Sequence, residues 1–215
     1  MDIGAILQGF VKNTNKQVNL STTPSGALYT APYGSHIARW VAEGKGFKAI
    51  EATATAAVAA LPTVTAGLTI QNNETESGKW YVVHSVFSTF EASAAAVESA
   101  YIAHCIGMNR VALATQDIAI TSIKPLLGGA GPYSGLAILD LGATVVDDLW
   151  TPATSHVSNL VASNGEFSLV AELNGLVVIK PKAQYSLELC ATSTGVTGRL
   201  GLSWFEVDRE ELTGL

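Results

Sequence analysis

The chain has 215 residues, of which 48% are hydrophobic and only 14% charged, so it holds ample apolar material for a folded core. It contains no run of about 18 uninterrupted apolar residues, and we therefore expect no membrane span and no membrane partner. The formal net charge is −6, and the first 50 residues, at +3, are too weakly basic to indicate a nucleic-acid-binding arm.

The first residues carry an apolar stripe with helical spacing. Its members fall at i, i+3, i+4, i+7 and i+8, which predicts a short amphipathic helix: Ile3, Ile6, Leu7, Phe10 and Val11. A helix this short is marginal in water, so the stripe needs a surface, either on its own domain or on a partner. The polar stretch KNTNKQVNLSTTPSG follows, and we interpret residues 1–46 as an N-terminal arm and linker. Asp2 stands where a signal peptide has positive charge, which favours a cytoplasmic origin.

Residues 47–215 have the pattern of one β domain. Short segments rich in Val, Ile, Thr and aromatic residues, such as KWYVVHSVFSTF and GRLGLSWFEV, alternate with turn signals such as ASNGE and STGVTG. Only EASAAAVESA, residues 91–100, has a composition suited to a helical turn. We therefore predict an all-β fold, a jelly roll or β-sandwich over 47–215, with an extended N-terminal arm that carries the short helix.

Two cysteines and four histidines are the candidates for metal or nucleophilic chemistry. Cys105 and Cys190 lie far apart inside apolar runs, which predicts buried free thiols. The histidines are isolated from one another, without the pairs that metal sites use: His36, His84, His104 and His156. We expect no metal, no cofactor and no catalytic residue, and we do not expect an enzyme.

The stretch NGLVVIKPKAQYSLEL, residues 174–189, is similar to the second motif of cupin barrels, in which a histidine ligand follows a proline corner. Gly175 and Pro181 have the matching spacing. The rest departs from the motif, because Ala183 replaces the turn glycine and Ser186 stands at the ligand position. A cupin-like barrel enzyme remains the weakest of the alternatives.

Two aromatic residues in loop-like contexts are candidates for an exposed binding surface. Trp150 lies in DDLWTPATSH, and Tyr133 lies in the loop GGAGPYSG. Exposed Trp and Tyr side chains are the platforms that glycan-binding sandwiches use, whereas a half-buried loop anchor is the alternative for Trp150. Trp80 and Trp204 lie within β patterns and are predicted to be core residues.

Three parts of the chain form a set: the leader VNLSTTPSGALYTAPYG, the strand SGKWYVVHSVFS and the C-terminal part from GEFSLVAEL to LSWFEV. Together they resemble the jelly-roll structural proteins of tailed-bacteriophage particles. The C-terminal pattern is a glycine-led apolar strand, a proline corner, a small-residue turn and a closing strand with Trp before Glu-Val: Gly175, Pro181, Thr194–Gly195, Trp204, Glu206 and Val207. It departs at Lys182–Ala183, where relatives more often have Pro-Gly.

This resemblance implies a virion protein of the capsid cement or decoration type. Such a protein clamps the major capsid protein and associates with itself, commonly as a trimer, while its N-terminal arm reaches a neighbour. The alternative of a different kind is a receptor-binding or glycan-binding module of a head fibre or tail, which would use Trp150 and the Tyr133 loop.

Overall fold

The computed structural model describes residues 8–11, 16–19, 36–61, 65–92, 98–107, 115–144, 149–154, 157–160, 168–192 and 194–213. In chain order the elements are β1 (Gln8–Val11), β2 (Lys16–Asn19), α1 (His36–Ala42), β3 (Gly46–Ile50), β4 (Thr55–Ala56), β5 (Leu68–Asn72), β6 (Trp80–Ala92), β7 (Glu98–Gly107), a 3₁₀ turn (Ile120–Ser122), β8 (Lys124–Pro125), β9 (Ala137–Leu141), β10 (Thr151–Pro152), β11 (Val157–Leu160), β12 (Ser168–Ile179), β13 (Gln184–Ala191), β14 (Thr197–Val207) and α2 (Arg209–Thr213).

Two antiparallel sheets form the body, and the predicted all-β sandwich is confirmed. Sheet I has the order β12-β6-β14-β3-β8, with β4 also paired to β14. Sheet II has the order β10-β7-β13-β5-β9, with β11 also paired to β7. Successive long strands cross between the sheets, so that β14 lies between β3 and β6 while β13 lies between β5 and β7. The late strands β14 and β13 thus lie beside the early strands β3 and β5, which is the jelly-roll arrangement of two Greek keys.

The core lies between the sheets and follows the period-two alternation of the strands. Along β14, Leu200, Leu202 and Trp204 are fully buried in the inter-sheet cluster, as predicted for Trp204. The same prediction is wrong for Trp80, which is only partly buried and lies 5.9 Å from the guanidinium of Arg209. The intervening Phe205 and Val207 belong to a separate cluster on the opposite face of sheet I. The outer face of β14 is therefore apolar at the C-terminal end of the strand, where it is covered.

Helices α1 and α2 cover the outer face of sheet I. The indole ring of Trp40 in α1 lies 5.4 Å from the ring of Phe205, and Leu212 of α2 packs against the same cluster. Lys45 joins the two helical regions, since its Nζ lies 2.7 Å from Glu43 and 2.5 Å from Glu211. The segment that includes α1 thus packs on the body.

The predicted N-terminal helix is wrong for the residues that the structure describes there. Phe10 and Val11 belong to β1, which pairs antiparallel with β2 in a two-stranded sheet of its own. The hairpin gives the backbone of residues 8–11 hydrogen-bond partners on a second strand, whereas a helix of this length is marginal in water. Ile3, Ile6 and Leu7 lie outside the described residues.

The proline corner joins the two sheets. Pro181 and Lys182 form the turn between β12 of sheet I and β13 of sheet II. Lys182 has a φ of 68°, in the left-handed region that favours glycine, and its N–H donates to the carbonyl of Asn72 at 2.6 Å. The corner thus leads the chain from sheet I into β13 of sheet II.

Candidate functional site: a cavity beside the β12 bulge

A wide bulge interrupts β12 where it pairs with β6. Glu172 pairs with Ser85 and Val177 with Val83, so the four residues 173–176 stand opposite His84 alone. Asn174 has a φ of 48° and Gly175 a φ of 84°, which bends the chain away from the ladder. Asn and Gly are the residues that adopt this conformation most readily, and the NG pair therefore encodes the bulge locally.

The bulge borders a cavity of about 520 Å³ on the outer face of sheet I. Its walls come from the bulge, from β6 and β14, and from both helices: Ile37, Trp40, Val82, His84, Asn174, Gly175, Val178, Phe205, Glu211 and Leu212. This volume falls within the range of about 300–1,000 Å³ that is common for ligand pockets. The walls are mainly aliphatic and aromatic, so the cavity suits an apolar group.

The imidazole of His84 provides a polar atom in this apolar wall. Its Nδ1 is buried and has no hydrogen-bond partner among the described residues, and its ring lies 5.7 Å from that of Phe205. An unsatisfied buried nitrogen costs about 1–3 kcal/mol. Because this nitrogen has almost no accessible surface, a molecule in the cavity does not reach it.

The two loop aromatics that were candidates for an exposed binding surface are buried. Tyr133 is 5% exposed, and its hydroxyl donates to Glu206 Oε1 at 2.5 Å and accepts from the N–H of Ala137 at 2.9 Å. Trp150 is 6% exposed and packs in a cluster with Cys105 and Cys190. The loop-anchor interpretation of Trp150 is therefore confirmed, and the exposed surface is wrong for both rings, because a large ring in a loop gains more free energy by anchoring that loop on a sheet than by facing water.

Three buried glutamates escaped the sequence analysis. Burial raises the pKa of Glu51 and of Glu188 to about 7, although backbone N–H groups donate to both carboxylates. Burial also raises the pKa of Glu206, although the hydrogen bonds that this carboxylate accepts from Tyr133 and Trp204 act to lower it. The only sequence signal was the Trp-x-Glu spacing of the closing strand, which places Trp204 and Glu206 on one face of β14.

The prediction that Cys105 and Cys190 are buried and not disulfide-bonded is confirmed. Burial raises the pKa of Cys190 to about 11, so its thiol is not a ready nucleophile.

At the cupin ligand position, the Ser186 hydroxyl lies 2.8 Å from that of Thr69 in a buried pair. His104 Nδ1 lies 2.9 Å from the hydroxyl of Tyr185. Each group thus has a structural role.

Among the described residues, no group of three or more His, Cys, Asp and Glu side chains converges in a way that could hold a metal ion. Within the same part of the chain, no helix has the length and apolar character needed to cross a membrane.

No protein-family model matches the chain, and no curated protein sequence matches it either.

Proposed function

We propose that this protein is a non-enzymatic structural protein of a bacteriophage virion. It acts as a capsid cement protein, clamping subunits of the major capsid protein through a self-associating β body, expected to be a trimer, and through its N-terminal arm. The proposal rests on the resemblance to phage jelly-roll proteins and on the architecture of the arm.

The observation that carries the proposal is the separate N-terminal hairpin. Among the described strands, β1 and β2 pair with each other and with neither sheet of the body. A two-stranded hairpin is at best marginally stable by itself in water, so it needs a surface to pack against. Residues 20–35 separate β2 from α1, and about 3.3 Å per extended residue gives this connection a reach of about 50 Å. Such a reach would allow the hairpin to pack on a neighbouring subunit of a particle.

The outer face of sheet I supports the proposal with a second area for contact. The cavity beside the β12 bulge is apolar, and Leu176 on the bulge is 84% exposed. Exposed apolar groups next to a cavity are typical of protein contact sites. On a particle, many copies bound at once give strong total attachment even where each contact is weak.

The receptor-binding alternative has lost the residues on which it depended. Trp150 and Tyr133 are both buried, so neither ring can serve as a platform for a sugar. The structure supplies no observation that favours this alternative over the clamp.

The experiment is a co-sedimentation assay with shells assembled from the major capsid protein encoded in the same genome. One variant lacks residues 1–20, and a second replaces Ile3, Ile6 and Leu7 by serine. The matched control replaces the polar residues Asn13, Thr14 and Asn15 by serine. We expect both arm variants to lose at least tenfold in shell binding, while the control binds as the wild type does. Thermal unfolding monitors whether the body stays folded. Normal decoration by the truncated chain would overturn the role of the arm.

A further inference from the structure

Residues 51–58 cross from one sheet of the sandwich to the other. The chain leaves β3, pairs as β4 with β14 in sheet I, and then bridges at Val58 to Cys190 of β13 in sheet II. The N–H of Val58 donates to the carbonyl of Leu189 at 2.9 Å. This crossover, residues 51–58, therefore connects the two sheets through backbone pairing at both of its ends.

The crossover has little apolar surface to hold it in place. Its sequence is EATATAAV, and only Glu51 and Ala57 are buried, whereas four of the other six residues are exposed. Few buried apolar contacts are a feature of segments that open locally at a low cost in free energy. The crossover is therefore a segment that can open while the rest of the sandwich stays folded.

Glu51 stands at the start of the crossover with its carboxyl group buried. Its Oε2 accepts from the N–H of Leu200 in β14 at 2.9 Å and from the hydroxyl of Thr55 at 3.3 Å. Its Oε1 is buried and has no hydrogen-bond partner among the described residues. This carboxyl group thus joins the crossover to sheet I.

Glu188 stands on β13, next to the residues that bridge to the end of the crossover. Its buried Oε1 accepts from the N–H of Leu189 at 3.1 Å. A Cβ atom added to Gly67 would lie 3.0 Å from Glu188 Oε1 and 2.9 Å from Leu200 Cδ1. Glu188 is therefore close to the residue whose N–H binds Glu51, so the two carboxyl groups share one region.

No basic side chain balances this pair of acids in the described part of the chain. Burial raises the pKa of Glu51 and of Glu188 from 4.5 to about 7, and the charge of Glu51 adds to the effect at Glu188. Lys48 on β3 and Arg199 on β14 lie at positions of opposite alternation to Glu51 and to its partner on β14, so they face the outer side of sheet I. Lys48 is exposed, and Arg199 pairs with Glu91.

The other titratable groups near Glu188 do not change charge with it. Burial raises the pKa of Cys190 to about 11 and also raises the pKa of Tyr101 on β7, so both remain neutral near pH 7. His104 on β7 pairs with Leu187, which places it on the opposite face of sheet II from Glu188. The charge of this region is therefore controlled by the two glutamates.

We infer that residues 51–58 form a pH-sensitive switch, in which protonated Glu51 and Glu188 hold the crossover closed and their ionisation favours its local opening. Opening gives both carboxyl groups access to water, because it removes the neighbour of β13 beside Glu188. The opened chain then releases protons that the closed chain keeps. Opening therefore becomes more favourable as pH rises from 4.5 to about 7, by up to about tenfold per pH unit for each carboxyl group. This inference does not depend on capsid binding.

The first test is amide hydrogen exchange of the full chain at pH 5 and pH 8, corrected for the intrinsic dependence of exchange on pH. Peptides that cover the crossover should exchange about tenfold or more faster than peptides from β6, because local opening precedes global unfolding. Their protection should also fall by about tenfold or more between pH 5 and pH 8. Protection equal to that of β6, or protection that does not change with pH, would overturn the inference.

The second test combines Glu51→Gln with Glu188→Gln. Glutamine keeps the size of the side chain and does not titrate, so the crossover of this double variant should have the same protection at pH 5 and at pH 8. Glu210 is exposed, and Glu210→Gln is the matched control, which should keep the pH dependence of the wild type. A pH dependence that persists in the double variant would contradict the switch.

A third test leaves both glutamates in place and ties the crossover to β14 with a disulfide. Ala56 and Thr197 are direct partners in the pairing of β4 with β14, so Ala56→Cys combined with Thr197→Cys sets two thiols opposite each other. The oxidised variant should keep at pH 8 the protection that it has at pH 5, and reduction should return the wild-type loss. The same loss in the oxidised and reduced forms would show that the crossover does not open.

Discussion

The phenol of Tyr133 and the carboxylate of Glu206 form a buried hydrogen bond of 2.5 Å that joins a glycine-rich loop to the last strand of the jelly roll. The same carboxylate oxygen accepts from the indole N–H of Trp204 at 3.2 Å. Phe47 completes the cluster, with its ring edge-on to that of Tyr133 at 4.8 Å. In the Trp-x-Glu pattern of the closing strand, the glutamate is thus the residue that anchors the loop.

Replacing Tyr133 by Phe should destabilise the fold by about 2–3 kcal/mol, because the change leaves a buried carboxylate short of a donor. Equilibrium urea unfolding measures the effect. Glu206→Gln and the double variant complete a double-mutant cycle, in which we expect a coupling of about 1–2 kcal/mol between the two side chains. A loss below about 0.5 kcal/mol for Tyr133→Phe would show that the bond contributes little.

The buried glutamates predict a fold that is more stable in mild acid than at neutral pH. Burial raises the pKa of Glu51 from 4.5 to about 7. Between these values the unfolded chain releases a proton that the folded chain keeps, so stability falls as pH rises, by about 1.4 kcal/mol per pH unit. The fall begins near pH 4.5 and is complete above pH 7.

This pH dependence is measured by urea unfolding at pH 5 and at pH 8. Glu51→Gln should remove a large part of the difference, since glutamine does not titrate. Glu210 is exposed, so Glu210→Gln is the matched control and should leave the difference in stability between pH 5 and pH 8 as it is in the wild type. A wild type that is equally stable at both pH values would contradict the prediction.

His84 and His104 differ in the hydrogen bonding of their Nδ1 atoms, so the same substitution can be compared at both positions. His84 Nδ1 is buried without a partner among the described residues, whereas His104 Nδ1 lies 2.9 Å from the Tyr185 hydroxyl. His84→Leu should therefore raise the free energy of unfolding by about 1 kcal/mol, and His104→Leu should lower it by about 1–2 kcal/mol. Thermal and urea unfolding compare the two. A destabilised His84→Leu variant would indicate that the nitrogen has a partner in the folded state.

The proline corner offers a test of backbone strain. Lys182 adopts a left-handed φ of 68°, and its Nζ donates to the carbonyl and to the side-chain oxygen of Asn73 at 3.0 and 2.8 Å. Lys182→Ala removes these bonds and keeps the strain, whereas Lys182→Gly removes both. We expect the glycine variant to be more stable than the alanine variant by about 1 kcal/mol. Equal stabilities would mean that the turn imposes no strain on this residue.

The sequence by itself determined the class of fold and the position of the turn at Pro181. Period-two alternation, turn signals and the isolated cysteines depend on local spacing, so they were sufficient to predict the sandwich, the buried thiols and Trp204 in the core. The NG pair likewise encodes the bulge locally, because Asn and Gly tolerate a positive φ.

Only the tertiary structure decided where side chains from distant segments meet. The burial of Tyr133 and Trp150 depends on which sheet lies beneath their loops, and the cavity needs α1, α2 and β12 together. The raised pKa values of Glu51 and Glu188 arise from burial at strand positions that look ordinary in the sequence. The error at residues 8–11 has the same origin: a short apolar stripe fits a helix or a strand, and the pairing partner decides between them.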